Sequence, residues 1–325
     1  MKAKKIVLIV LLITIVIGIC IVIGFGGKNN NSSAKYKVVT SNFASYDFLR
    51  AIIGDNKEFE LTFLLGPGKD SHSYDPTAGD LIKIQESDLF VYVGGEMEKW
   101  ADKVLESIGE EKKNAICIAD FVDTIEEKEV DGAEEEEEAE EVEVEVEVEG
   151  AFDEHIWTSP ANAIKMVEAL EKEIEKIDSE NINKYKENAD KYIAQIKDVD
   201  SKIQEIVDNK VRDRLVFADK MPMQYFIDYY NLKVSAAFNG CSTETEPSAK
   251  TIAYLQNKVK EEKIPVILYI ELNPGRVAKT IANETGAEAM QIQALHNVSL
   301  DDFNNGETWV SLMTRNLDVL KKALQ

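Results

Sequence analysis

This chain has three histidines, His72, His155 and His296, and each stands in a short polar stretch beside an apolar run. Neutral imidazole is a usual protein ligand for zinc-like metals, binding at about 2.0–2.1 Å, and zinc favours four-coordinate tetrahedral sites. If the three rings meet in the fold, they form a nitrogen-rich site that needs one more donor. His72 comes after the turn Gly66-Pro67-Gly68-Lys69, His155 lies just ahead of Ser159-Pro160, and His296 follows Gln293-Ala294-Leu295. A single histidine in such a setting is ordinarily a surface or hydrogen-bonded residue. Three in the same setting, after strand-like runs or beside a helix start, point towards convergence. Three histidines with an open position also describe catalytic zinc, but no H-E-x-x-H occurs and no glutamate is marked as a general base beside a ligand pair.

The elements that must bring these residues together follow from hydropathy periodicity. Strand-like runs at Lys37–Thr40, Phe59–Leu65, Leu89–Val93 and Ala115–Ile118 alternate with helical patterns at Ser45–Ile53, Thr77–Glu86 and Met97–Ser107. The alternation resumes later with strands expected at Leu215–Phe217, Leu232–Ala236, Val266–Ile270 and Ala289–Ile292. Helices are expected there at Pro222–Tyr229, Ser248–Glu262, Arg276–Glu284 and Thr308–Leu324. Such βαβ alternation implies mostly parallel sheets flanked by helices, with ligands collecting at the carboxyl ends of the strands. Between the two halves, Ser159-Pro160 starts one helix, and Asp178 is expected to cap a longer one whose apolar stripe runs from Ile182 to Ile206. At about 1.5 Å per residue that helix is roughly 40 Å long. The fold class expected is therefore α/β, with two lobes joined by one long rigid linking helix: residues 37–177, a linker over 178–210, and 211–325.

Composition narrows the function. The chain has 325 residues, 44% of them hydrophobic, enough for two ordinary cores. Its formal charge of -23 is concentrated, since twelve acidic residues lie between Asp131 and Gly150. A net acidic chain is a poor partner for phosphate backbones, so no nucleic acid is expected. The Val-Glu alternation within that block would set like charges on one face, so an acidic disordered insert is expected over 125–150. Lys2, Lys4 and Lys5 precede the apolar run Ile6–Phe25, long enough to cross a membrane with its N-terminus inside. Residues 1–27 thus read as an anchor or signal, with lipidation at Cys20 as the alternative, and 28–36 as a flexible stalk. Cys20, Cys117 and Cys241 form no C-x-x-C. Cys117 and Cys241 are read as separate thiols rather than a bridge. Trp100, Trp157 and Trp309 are read as packing residues, and Tyr74 and Asp75 as shaping the loop around His72. Asp153 and Glu154 either orient His155 or are exposed helix-entry charges. Glu271 either faces the cleft or is a solvated loop carboxylate.

The segments GPGKDSHSYDPT (66–77), DEHIW with SP at 153–160, GCSTETEPS (240–248) and HNVS (296–299) resemble the metal-binding substrate proteins of ABC importers. That group includes bacterial zinc-uptake lipoproteins, manganese receptors and adhesins, and the resemblance covers Lys37 to Gln325. It implies an extracytoplasmic receptor at the outer face of the bacterial membrane, monomeric, which hands a divalent metal to a permease and its ATPase. It also implies His72 and His155 as metal ligands from the first lobe and His296 from the second. Where many relatives place a further histidine or glutamate, this chain reads Val216-Phe217-Ala218-Asp219-Lys220. Asp219 is thus the fourth-donor candidate, with Glu244 or a water as alternatives. Nitrogen-rich ligation favours Zn2+ over Mn2+. A surface adhesin or metal buffer and a secreted zinc hydrolase remain competing functions.

Overall fold

Two four-stranded parallel sheets of the same topology carry the structure, a computed structural model that describes residues 34–109, 114–133, 152–240, 242 and 246–325. The first sheet runs β2-β1-β3-β4, from β1 (Tyr36–Thr40), β2 (Phe59–Phe63), β3 (Leu89–Tyr92) and β4 (Ala115–Cys117). Helices α1 (Phe43–Ile53), α2 (Ala78–Glu86) and α3 (Lys99–Ile108) make its crossovers. Helix α4 (Pro160–Ile177) then leads into the linking helix α5 (Ile182–Asp208). The second sheet runs β6-β5-β7-β8, from β5 (Arg214–Met221), β6 (Lys233–Asn239), β7 (Val266–Ile270) and β8 (Glu288–Ile292). Its helices are α6 (Gln224–Tyr229), α7 (Ala249–Glu262), α8 (Arg276–Thr285), the short α9 (Leu300–Asn304) and α10 (Trp309–Leu324).

The periodicity located every strand, while the end of β5 and the start of α5 differ from expectation. β5 continues to Met221 past an irregularity in its pairing with β6 between Phe217 and Lys220, so Asp219 and Lys220 belong to a strand end rather than a loop. Asp178 does not cap α5: Asn181 is the N-cap. The Asp178 carboxylate instead accepts hydrogen bonds from Tyr185 Oη, Asn181 Nδ2 and the Glu180 amide, joining the end of α4 to the first turns of α5. Thr77 and Asp80 form a reciprocal capping box at the start of α2, just after the His72 loop.

A 27-residue α5 buries Tyr185, Ala189, Tyr192, Ile193, Ile196, Val199, Ile203 and Val207 at helical spacing. That stripe packs on α4 and α1 of the first lobe and on α10 of the second. One hydrophobic cluster therefore runs from Val38 to Leu324 across both lobes. Trp157 and Trp309 are buried in it as packing residues, and they link the lobes: Trp157 Nε1 donates to Ala294 O and Trp309 Nε1 to Trp157 O. Asp47 of α1 adds a polar junction, accepting from Arg50, from Tyr192 Oη of α5 and from the Trp309 amide at the start of α10.

Residues 125–133 of the segment expected to be a disordered insert are ordered. Ile125–Ala133 are described and lie along the second lobe, because their polar groups find partners there. Lys128 N donates to Gln224 Oε1, Val130 N to Asn239 Oδ1, and Ala236 N of β6 to Asp131 O. Val130 is buried, and the Asp131 carboxylate gathers Arg214, Ser235, Tyr254 and Lys258. Residues 134–150, the rest of that segment, lie outside the described residues, as do the expected anchor over 1–27, Cys20, Cys241 and Glu244. Among the described residues no helix is long and apolar enough to cross a membrane. The Cys117 thiol is free, donating to Val93 O.

The Asp47 junction should be worth far more than any exposed pair on α5. Asp47→Ala is expected to lower the unfolding free energy by about 3 kcal/mol, read from urea denaturation. Lys191→Ala, at an exposed pair with Glu187, should change it by less than about 0.5 kcal/mol.

Candidate metal centre

His72 reaches the centre on a loop built by two left-handed glycines. Gly66 and Gly68, with φ of 72° and 77°, turn the chain after β2. The loop is then fixed to the other lobe: Gly68 N donates to Val298 O, and Asn297 Nδ2 donates to both Gly66 O and Lys69 O. Asp70 accepts from the His72 amide at 2.9 Å, which sets the direction of the side chain.

His155 enters from the return of the acidic insert, at the start of a single 3-10 turn over Ile156–Thr158. It is fully buried. Asp153 Oδ1 accepts from its backbone amide at 2.8 Å and lies 3.2 Å from Nδ1. A carboxylate there places the ring proton on Nδ1 and leaves the Nε2 lone pair free to bind. Asp153 is held in turn by its own amide to Ile125 O and by Tyr225 Oη donating to its carbonyl. Asp153 and Glu154 are both buried, so neither is an exposed helix-entry charge. Glu154 accepts from the Met97 amide. Gly240 packs so closely that an added Cβ would lie 3.4 Å from His155 Cε1 and 3.1 Å from Met221 O.

His296 follows β8 on a loop whose Leu295 has a φ of 60°, a conformation an L-residue with a branched side chain adopts only under constraint. Glu271 supplies that constraint from the end of β7: its carboxylate accepts from the amides of Ala294, His296 and Asn297. The reading of Glu271 as a solvated loop carboxylate is therefore corrected: it is a buried clamp on the loop. Ser71 Oγ, from the opposite lobe, lies 2.5 Å from His296 Nε2.

The three rings come together. Their centroids are 5.6 Å apart for His72 and His155, 4.9 Å for His72 and His296, and 5.4 Å for His155 and His296. One ring nitrogen from each lies within 4.8 Å of the others. Three nitrogens around a tetrahedral zinc sit roughly 3.4 Å apart, so small ring shifts would close the set on an ion. His72 Nε2 and His155 Nε2 are buried with no hydrogen-bond partner among the described residues, an arrangement that is costly unless a ligand completes it. Asp219 does not join the group. Its carboxylate accepts from the amides of Lys220 and Ile270.

Electrostatics prepare the rings to bind a cation. Burial, with His155 alongside, pushes His72 down to about 3, and burial with both neighbouring imidazoles holds His296 well below the ordinary histidine range. For His155, burial acts downward, but Asp153, aided by Glu154 and Glu127, more than reverses it and the net shift is upward. Sequence reasoning missed Ser71, Asp70 and Asn297. The first two flank His72 directly, but nothing in their spacing marks them.

A family model, zinc-uptake complex component A, periplasmic, matches residues 38–323. The chain belongs to this family. The high-affinity zinc uptake system protein ZnuA of Bacillus subtilis (strain 168) is 33% identical to it over 298 residues, 92% of this chain and 90% of that protein. Among solved structures, the metal-dependent lipoprotein YcdH of Bacillus subtilis superimposes with a TM-score of 0.74 at 28% identity, covering 90% of this chain and all of that one. The Zn(II)-bound ZnuA-like domain of Streptococcus pneumoniae AdcA gives 0.71 at 27% identity, covering 90% of this chain and 99% of that one. The zinc-uptake family thus shares with this chain the two-sheet architecture described above.

Two buried glutamates make the metal-free protein sensitive to base. Burial raises both Glu98 and Glu271 from 4.5 to about 7. A raised acid favours the folded state below its unfolded pKa, and that contribution is lost as pH rises through the folded value. His155, also raised, acts in the same direction at higher pH. With chelator present, His72 and His296, both lowered, offset the glutamates below the unfolded histidine value near 6.5, so the melting temperature is expected to fall between about pH 6.5 and 8, and Glu98→Gln should flatten that slope. A melting temperature that rises over this range would contradict the assignment.

Proposed function

We propose that this protein is the extracytoplasmic zinc receptor of an ABC importer, which captures Zn2+ between its lobes on His72, His155 and His296 and delivers it to the permease. The observation that carries this reading is the convergence of three imidazoles, His155 and His296 buried and His72 half-buried, two of them with buried, unpartnered Nε2 atoms. Membership of the zinc-uptake family and the likeness to a Zn(II)-bound domain support it. Nitrogen donors suit zinc better than manganese, which prefers carboxylate and water. The permease and its ATPase are the partners, and the receptor acts as a monomer at the outer face of the membrane, held there by its N-terminal segment.

In this reading the histidines from the first lobe provide one wall and His296 the other. The lobe contacts through Asn297, Gly68 and the two tryptophans favour a small adjustment around the ion over a wide hinge. The receptor performs no chemistry on its cargo; it holds the ion through exchangeable nitrogen bonds and gives it up when the lobes are parted.

Isothermal titration of chelator-stripped protein should show one Zn2+ per chain. Replacing any one of the three histidines by alanine should weaken binding on the order of a hundredfold, about 2.8 kcal/mol. Asp153→Asn, which removes the carboxylate that orients His155, should cost about 10- to 100-fold. Unchanged affinity in the triple alanine variant would overturn the assignment.

A further inference from the structure

A cavity of about 310 Å³ opens beside the three histidines on the side of the second lobe, with His296 in its wall. Lys220 forms another part of that wall and is only 6% exposed. Its ammonium has a single partner among the described residues, Asp70 Oδ2 at a long 3.5 Å. A buried ammonium carries three donors, so most of its hydrogen-bonding capacity is unspent. Helix α8 also begins in the wall, through Arg276 and Val277. Its N-cap is Gly275, with no side-chain cap and no acidic residue in the first turn. The N-terminal, positive end of a ten-residue helix therefore borders the same space. Arg276 has no ion-pair partner among the described residues and adds a third positive element at the rim.

The cavity also has carboxylates, and most of them are committed. Asp219 binds the amides of Lys220 and Ile270, Glu271 binds three amides of the His296 loop, and Asp70 binds Lys220 and the His72 amide. Glu246 is exposed at the edge. None of these belongs to the group of converging ligand atoms. An ion on three neutral imidazoles would keep its double charge and an open coordination position, near a buried ammonium of the same sign whose charge the Asp70 carboxylate, at 3.5 Å, offsets only in part. Desolvated like charges at short range are unfavourable unless an anion comes between them.

We propose that this cavity is an anion subsite, in which a small carboxylate or bicarbonate seated between Lys220 and the N-terminus of α8 supplies the fourth donor to the ion on His72, His155 and His296. One oxygen binds the metal, and the other accepts from the Lys220 ammonium and the helix amides. Zinc and anion binding are then mutually dependent, because each improves the site for the other. This inference rests on the metal-receptor reading, and its test separates the two.

The experiment is zinc affinity at constant pH and ionic strength in sodium nitrate, sodium acetate and sodium bicarbonate. It is measured with the full chain by competition against a fluorescent chelator calibrated in each salt. Tighter binding in acetate or in bicarbonate than in nitrate is the expected result, and which of the two acts identifies the anion. At an anion concentration of about ten times its own Kd the gain should be roughly tenfold. Lys220→Met should remove the anion dependence while zinc still binds in nitrate, and Lys220→Arg should retain it. Zinc binding that is equal in all three salts overturns this inference alone. So does a Glu244→Gln variant that loses as much affinity as His296→Ala, since the chain would then supply its own fourth donor. No zinc binding in any salt overturns the receptor reading together with it.

Discussion

Three imidazoles packed at centroid separations of 4.9 to 5.6 Å in a buried cleft cannot all carry a proton. Desolvation and mutual repulsion act together on His72 and His296, so both present lone pairs over the whole neutral range. His155 is the exception because Asp153 sits at its Nδ1, and that carboxylate makes it the preferred place for a proton when no ion is present. A cation arriving at Nε2 would replace that proton without having to create the site. Much of the surrounding structure can be understood as holding three uncharged rings in contact against the tendency of their loops to relax.

Each ring is held by the same device. A carboxylate accepts the backbone amide of the histidine itself: the exposed Asp70 for His72 and the buried Asp153 and Glu271 for His155 and His296. Loops beyond strand ends have no sheet partners for their amides, and a carboxylate close by satisfies them while fixing the direction of the side chain. Burial of Glu271 is tolerated because three amides converge on it. Asn297 performs the corresponding task between lobes, donating to two carbonyls of the His72 loop.

Two further connections keep the lobes in register. Helix α5 packs on elements of both, and the segment Ile125–Ala133 leaves the first sheet and is tied along β6 of the second. The base of that segment touches the site, since Ile125 O accepts from the Asp153 amide and Tyr225 Oη donates to the Asp153 carbonyl. The acidic block is therefore rooted in a segment that also positions His155. With a shared apolar cluster behind them, the walls of the cleft are arranged before any ion arrives.

The α/β alternation, the two-lobe architecture and the long helix were legible in the sequence, because apolar period and chain direction are local properties that burial enforces on every strand and helix. The three histidines were legible as candidates since each follows a strand or precedes a helix, the places where α/β folds expose side chains to ligands. Their convergence, the clamps made by Glu271 and Asp153, the two amides that hold the Asp219 carboxylate away from the three rings and the burial of Lys220 were not. Each depends on groups far apart in the chain, such as Ser71 and His296 or Lys220 and Asp70, meeting across the cleft. The sequence determined which residues could bind a metal; the packing of one lobe on the other decided which of them come together, because a coordination site is a matter of distances of a few ångströms that no local pattern encodes.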